Sequence, residues 1–184
     1  MYFLMNVLNQ AKFRKRLSVA RETAMCYNTM RKRGYFMTKI LFVCHGNICR
    51  SPMAEYVMKD LVKKAGLKEK IEIASAATSY EEQGSPAYPP VRRLLSRHGI
   101  DCSAHRARRL TPDDINKYDM LIGMDSANLR NMQRMYGNSP KISLLLDHTD
   151  HPRAVDDPWY SGDFEQTWQD INAGCKALLN KLKT

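Results

Sequence analysis

Short apolar runs alternating with helix-period segments set the plan of this chain. Ile40-Leu41-Phe42-Val43 is continuously apolar and partly β-branched, which fits a buried strand. Comparable runs place strands at 39–43, 71–74, 119–123 and 141–145. Helical patterning falls near 52–65, 88–98, 112–116, 126–136 and 163–181. In the first of these, Met53, Val57, Leu61 and Ala65 recur every four residues, and Gly66 suits a helix stop. Strands that alternate with helices predict βαβ units, a parallel sheet and right-handed crossovers. Residues 84–90, Gly-Ser-Pro-Ala-Tyr-Pro-Pro, read as a loop into the next helix, and the Asp-, His- and Pro-rich stretch 147–163 as a long loop.

Between the first strand and first helix lies Cys44-His45-Gly46-Asn47-Ile48-Cys49-Arg50-Ser51-Pro52. Pro52 fits a first helical position, where its missing N–H costs nothing. A strand, a tight loop and a helix N-terminus together point unpaired N–H groups and the positive end of the helix dipole at one spot, which suits an anion. A cysteine there, with a cationic neighbour, is stabilised as a thiolate and can attack phosphorus. Arg50 offers a planar fork for two phosphoryl oxygens. Ser51 can donate its hydroxyl to the sulfur and ease its departure from a covalent intermediate. Gly46 and Asn47 tolerate left-handed backbone, so the loop can curl inward as an anion nest, with His45, Ile48 and Cys49 supplying further backbone N–H groups. The plain alternative is a strand–turn–helix around a buried cysteine. The whole string in this context favours the catalytic reading.

These residues resemble the signature of the low-molecular-weight protein tyrosine phosphatases, C-x-G-N-x-C-R-S-P after a first strand. The likeness runs from about Met37 to the C-terminus. It includes Ser75-Ala76-Ala77-Thr78-Ser79 after the second strand, Arg97-His98-Gly99-Ile100, Met124-Asp125-Ser126-Ala127-Asn128-Leu129 and Asp156-Asp157-Pro158-Trp159-Tyr160. The resemblance implies a flavodoxin-like, doubly wound α/β domain: a four-stranded parallel sheet with helices on both faces and the phosphate loop after strand 1. It implies hydrolysis of protein phosphotyrosine through a phosphocysteine, with Cys44 as nucleophile, Arg50 as phosphate ligand and Asp157, rather than Asp156, as general acid. A carboxylate fixed before proline can be held in one pose, and Trp159 and Tyr160 can wall a planar ring. The resemblance further suggests that Asn47, Ser51, Ser75 and His105 share a hydrogen-bond network, although His105 is offset by one residue from the family spacing. His98 reads as a helix C-terminal residue before Gly99. At Tyr80-Glu81-Glu82 the chain departs from the pattern, since an aromatic usually forms the other wall and Glu81 takes its place with Tyr80 beside it.

Cys49 lies five residues after Cys44. In the family the two loop cysteines can form a reversible disulfide that shields the nucleophile, and a reactive thiolate is served by such a resolving partner; a buried structural thiol is the plain alternative. Cys26, Cys102 and Cys175 are scattered, which fits a reducing cytoplasm and completes no zinc site, so no metal or other cofactor is expected. The length of 184 residues suits one catalytic domain. The formal charge of +10 is uneven: residues 1–36 carry eight Lys/Arg against Glu22, a net +7, and the other 148 residues carry 21 basic against 18 acidic, a net +3. A nearly balanced domain gives no support for a nucleic-acid partner. Residues 1–36 are read as a basic extension, either disordered or the product of an upstream start before Met37. Their apolar run 1–8 is too short to span a bilayer, although Val7, Leu8, Ala11, Leu17 and Ala20 could form a basic amphipathic helix. The expected partners are phosphotyrosine-containing proteins, with the chain a monomer or weak dimer.

Relatives of the same fold carry other chemistry. Arsenate reductases resolve an arsenylated thiol with two further cysteines, where this chain offers only Cys102. Protein arginine phosphatases favour Thr at the position of Ile48. A non-catalytic phosphate-binding module would lack the acid, which Asp157 supplies.

Overall fold

The computed structural model describes residues 37–183; the reading of residues 1–36, including Cys26, lies outside them. Among the described residues the four strands are β1 (Thr38–Cys44), β2 (Ile71–Ala77), β3 (Met120–Gly123) and β4 (Ile142–Leu144). The helices are α1 (Arg50–Lys64), α2 (Pro89–Arg97), α3 (Asp114–Lys117), α4 (Ser126–Tyr136), α5 (Pro158–Ser161) and α6 (Phe164–Lys183), with a 3-10 turn at Leu145–His148. All pairings are parallel, in the order β2-β1-β3-β4. The chain winds first to one side of β1 and then to the other. The strand order therefore reverses between β1 and β3, and in open α/β sheets ligands bind outside the strand C-termini at that switch point.

Period-two alternation along β1 serves the two faces of the sheet. Ile40, Phe42 and Cys44 join a buried cluster with Met53, Val57, Met58, Val91, Leu95, Ile171 and Leu178, from α1, α2 and α6. Leu41 and Val43 join the other, with Leu121, Tyr118 and Met132. Both sides of β1 are fully buried, which is why its sequence reads as an unbroken apolar run rather than an alternating one.

The structure corrects several boundaries. Helix α1 begins at Arg50, so Pro52 is its third residue; every N–H of a first turn lacks an intrahelical partner, and proline is tolerated throughout it. Of the four-residue repeat, only Met53 and Val57 are buried, while Ala65 is exposed; the buried stripe continues through Ala54, Met58 and Val62. A four-residue step overshoots a 3.6-residue turn by about 40°, so such a repeat rotates off the core face. Strand β2 runs three residues past the sequence-based end, which places Ser75 inside it beside Phe42. The stretch 147–163 is not one loop: it contains the end of the 3-10 turn and α5, the latter started by Asp157 and Pro158. His98 caps α2 as expected and stacks on Trp168 at 3.9 Å, with Gly99 at φ 72° closing the turn.

Helix α6 packs most closely at Gly174, where a Cβ would lie 2.5 Å from Leu145 Cγ, itself fully buried. The Gly174→Ala substitution gains up to about 1 kcal/mol of helix propensity, but the new methyl would press on Cγ and both Cδ atoms of a fully buried leucine, and overpacking costs about 1–3 kcal/mol. A net loss of stability is expected as a lower urea midpoint at unchanged slope. A raised midpoint would show that Leu145 has room to move.

Candidate active site

The loop between β1 and α1 curls around one sulfur. Cys44 ends β1 and is 3 % exposed; its Sγ lies 2.9 Å from Ser51 Oγ and accepts the Asn47 N–H at 3.3 Å. The turn is possible because Asn47 adopts φ 59°, the only positive φ of a non-glycine among the described residues, a conformation that asparagine tolerates better than most residues. Gly46 does not share this conformation; a Cβ there would meet Glu82 Cγ at 3.3 Å, so its glycine answers a close approach.

Asn47 fixes the curl by using its whole amide. Nδ2 donates to Ser51 Oγ and to Ser75 Oγ, both at 2.8 Å, and Oδ1 accepts the Arg108 N–H at 3.0 Å. Its backbone carbonyl accepts from His105 Nε2 at 2.8 Å, which sets the tautomer with hydrogen on Nε2. Because the Asn47 amide nitrogen can only donate, the Ser51 oxygen accepts from it, and the serine hydrogen is left for the Cys44 sulfur at 2.9 Å, with the Ala76 carbonyl a longer acceptor at 3.5 Å. Ser75 in turn donates to the buried carboxylate of Glu55, which also holds Lys59 and lies 3.9 Å from His105 Nδ1. Burial pulls the His105 pKa down, against the pull of the Asn47 carbonyl and Glu55. The structure thus unites Asn47, Ser51, Ser75 and His105, and adds Glu55, which sequence reasoning missed.

Arg50 is 3 % exposed, and such a cation must be paired. Nη1 donates to Asp125 Oδ2 at 2.6 Å and to the Val155 carbonyl at 3.3 Å, and Nη2 donates to Asp157 Oδ2. Burial works against the guanidinium, but the Cys44 sulfur and the two carboxylates raise its pKa further. Both carboxylates serve twice. Asp125 Oδ1 caps α4 by accepting the Asn128 N–H at 2.7 Å, and Asp157 Oδ1 caps α5 by accepting from Trp159 N at 3.1 Å. Asp125 was a missed site residue; a helix start before Ser126 was the available signal. Asp156, the rival acid, is exposed and does not line the cleft.

A cleft of about 310 Å³ opens over this arrangement, lined by Cys44, His45, Gly46, Ile48, Cys49 and Arg50 at its base, by Asp125 and Asp157, and at its mouth by Trp159, Tyr160, Glu81 and Glu82. Trp159 packs on Tyr88 at 5.4 Å between ring centroids, and Tyr160 is 87 % exposed. Glu81 pairs with His45 at 3.1 Å, both at the surface. Tyr80 does not wall the cleft: it is 68 % exposed and turned onto Arg109, whose guanidinium carbon lies 3.5 Å from the ring centroid. Cys49 is buried, and burial first, then the charges of Cys44 and Asp157, push its pKa to about 12. It therefore stays a thiol near neutral pH. A larger groove of about 1200 Å³ lies along α2, but its thiol, Cys102, is buried and raised in pKa by that burial. The smaller cleft is the one equipped for nucleophilic chemistry. Among the described residues, no set of at least three His, Cys, Asp or Glu side chains could hold a metal ion, and no helix is long and apolar enough to cross a membrane.

Known proteins resemble this chain in sequence and fold. A family model for the low molecular weight phosphotyrosine protein phosphatases matches residues 39–184. The chain is 38 % identical over 151 residues to the low molecular weight protein-tyrosine-phosphatase YfkJ of Bacillus subtilis, covering 80 % of this chain and 97 % of that one. The human low molecular weight phosphotyrosine protein phosphatase is 38 % identical over 149 residues, covering 77 % and 94 %. The crystal structure of YfkJ superposes with a TM-score of 0.78, over 80 % of this chain and 95 % of that one, and that of the Drosophila arginine phosphatase DARP with 0.73 at 29 % identity, over 80 % and 99 %. The chain belongs to the low molecular weight phosphotyrosine protein phosphatase family.

Proposed function

We propose that this protein hydrolyses phosphotyrosine in proteins through a phosphocysteine at Cys44. The observation that carries the reading is the Cys44 sulfur held between Ser51 Oγ and the Asn47 N–H, with the Arg50 fork in the same cleft. The sulfur attacks phosphorus, the phosphorus–oxygen bond to the phenol breaks, and Asp157 delivers the proton to the leaving oxygen. Water then attacks phosphorus and gives its proton to Asp157. The phosphorus–sulfur bond breaks, with Ser51 donating to the departing thiolate. Arg50 gives two phosphoryl oxygens the Nε–H and the second Nη2 hydrogen that Asp125, Val155 and Asp157 leave free, and the backbone N–H groups of the 45–49 loop share the remaining charge. Residues 37–184 form the catalytic domain in this reading, with 1–36 a basic extension. Phosphoproteins are the substrates in a cytoplasmic setting.

Two features support tyrosine over other phosphorylated side chains. A thiol this deep is reached by a long, flat side chain, and Trp159 and Tyr160 offer apolar rings at the mouth. Ile48 lines the cleft and presents no hydroxyl to order water there. Phosphotyrosine, phosphoserine and phosphoarginine versions of one peptide test this directly: phosphotyrosine is expected to be cleaved with the highest kcat/KM, and a preference for phosphoarginine would reassign the substrate.

Cys49 is assigned as the resolving thiol. A peroxide converts the Cys44 thiolate to a sulfenic acid with release of hydroxide; Cys49 then displaces water to form a disulfide, which an external dithiol reduces.

Replacing Cys44 with Ser is expected to lower turnover by more than about a thousandfold, since a hydroxyl is not ionised near neutral pH; faster residual turnover would place the nucleophile elsewhere. The Asp157→Ala change is expected to cost about 10²–10⁴ on phosphotyrosine and much less on p-nitrophenyl phosphate, whose phenolate leaves without a proton. Asp156→Ala should lack this leaving-group dependence; finding it there instead would move the acid by one residue. After brief peroxide treatment, dithiothreitol should restore most of the untreated rate in the wild type and little in Cys49→Ser. Equal recovery in both would remove the redox role of Cys49.

A further inference from the structure

Helix α2 carries Arg92, Arg93 and Arg97, all exposed, and no acidic residue from Pro89 to Arg97. They border the larger groove, whose floor includes the buried Leu94 and Ile100. Pro89 and Phe164 line one end of that groove, and Trp159 lines the catalytic cleft. Tyr88 makes the connection: its N–H donates to the carbonyl of Ile48 in the phosphate loop at 2.9 Å, and its ring packs on Trp159 at 5.4 Å and on Phe164 at 6.0 Å. The ring that walls the cleft and the ring that ends the groove therefore flank one tyrosine.

The charge of the groove is only partly answered. Glu165 approaches Arg97 at 3.5 Å, and Asp101, already held by the Ser103 N–H and hydroxyl, feels the charge of Arg92. Among the described residues, Arg93 has no carboxylate partner. Guanidinium forks above an apolar floor suit a peptide with carboxylate and apolar side chains better than a free inorganic anion, which would leave Leu94, Ile100 and Phe164 unused. Glu81 and Glu82 give the cleft mouth a stretch of opposite sign, so an acidic segment is repelled there and favoured along α2.

We propose that the α2 groove binds an acidic, partly apolar segment of the phosphoprotein substrate, continuous in sequence with the phosphotyrosine in the cleft. This rests on reading the cleft as the phosphotyrosine site. The groove thereby sets which phosphotyrosines are preferred and in which direction the substrate chain runs.

The test uses the full chain and matched phosphotyrosine peptides carrying a Glu-Leu-Glu segment, or its Gln-Leu-Gln counterpart, on either side of the phosphotyrosine at several spacings. Extended peptide advances about 3.3 Å per residue, so a spacing series scans the groove. Exposed ion pairs are individually weak, so two or three of them predict an about three- to tenfold lower KM for the acidic peptide on one side only, with kcat little changed. That preference should disappear in high salt and in the Arg93→Glu/Arg97→Glu double variant, whose sites are on the surface. Equal KM for acidic and neutral peptides, or a preference that survives charge reversal, overturns the proposal. So does an acidic peptide that binds the groove in trans without affecting KM in cis, because it assigns the groove to a separate partner. If the neutral phosphotyrosine peptide is itself not hydrolysed, the reading of the cleft fails as well.

Discussion

The site depends on keeping a short loop curled around one sulfur, and the amide of Asn47 is what holds the curl. Its nitrogen reaches two serine hydroxyls, its oxygen takes the Arg108 N–H, and its carbonyl takes His105. The left-handed φ of this residue is a local cost that four hydrogen bonds offset. The same bonds fix chemistry, because a donor amide on Ser51 leaves the serine hydrogen for sulfur. Beyond Ser75 the network ends on Glu55, which ties α1 to β2 from inside. Losing one partner would strand buried polar groups, and a network of this kind is worth more than its separate pairs.

Arg50 is the second constraint. A buried guanidinium is tolerable only with carboxylates close by, and Asp125 and Asp157 supply them from the starts of two different helices. Each carboxylate is also a helix cap, so the cation, the acid and the two caps are positioned together. Asp157 is thereby held at the cleft, while its neighbour Asp156 points to solvent.

Much of this was legible in the sequence because short-range rules govern it. The unbroken apolar run before Cys44 and the helix pattern after it gave the strand, loop and helix that make the cradle, and the spacing of later runs gave the parallel sheet. What stayed illegible depends on contacts distant along the chain. Glu55 reads as an ordinary helix-surface residue until β2 brings Ser75 against it, and Asp125 as a simple cap until Arg50 reaches across. Tyr80 looked like a neighbour of the cleft wall, but Arg109 draws its ring away. The four-residue repeat of α1 misjudged its buried face because a real helix turns in 3.6 residues. The short helix at Pro158–Ser161 has no periodicity to read; only Asp-Pro, a cap and a first helical residue, marks it.

In the proposed reaction the phosphoryl group passes through the Cys44 sulfur. Rapid acid quenching of the enzyme with a phosphotyrosine peptide carrying labelled phosphate, followed by peptide mapping, tests it most directly. Transient label is expected on the peptide containing Cys44, bound through sulfur, and should accumulate in Asp157→Ala when the substrate has a good leaving group, since hydrolysis of the intermediate lacks its base. Label on Ser51 or His45, or turnover with no covalent phosphate at any quench time, would contradict it.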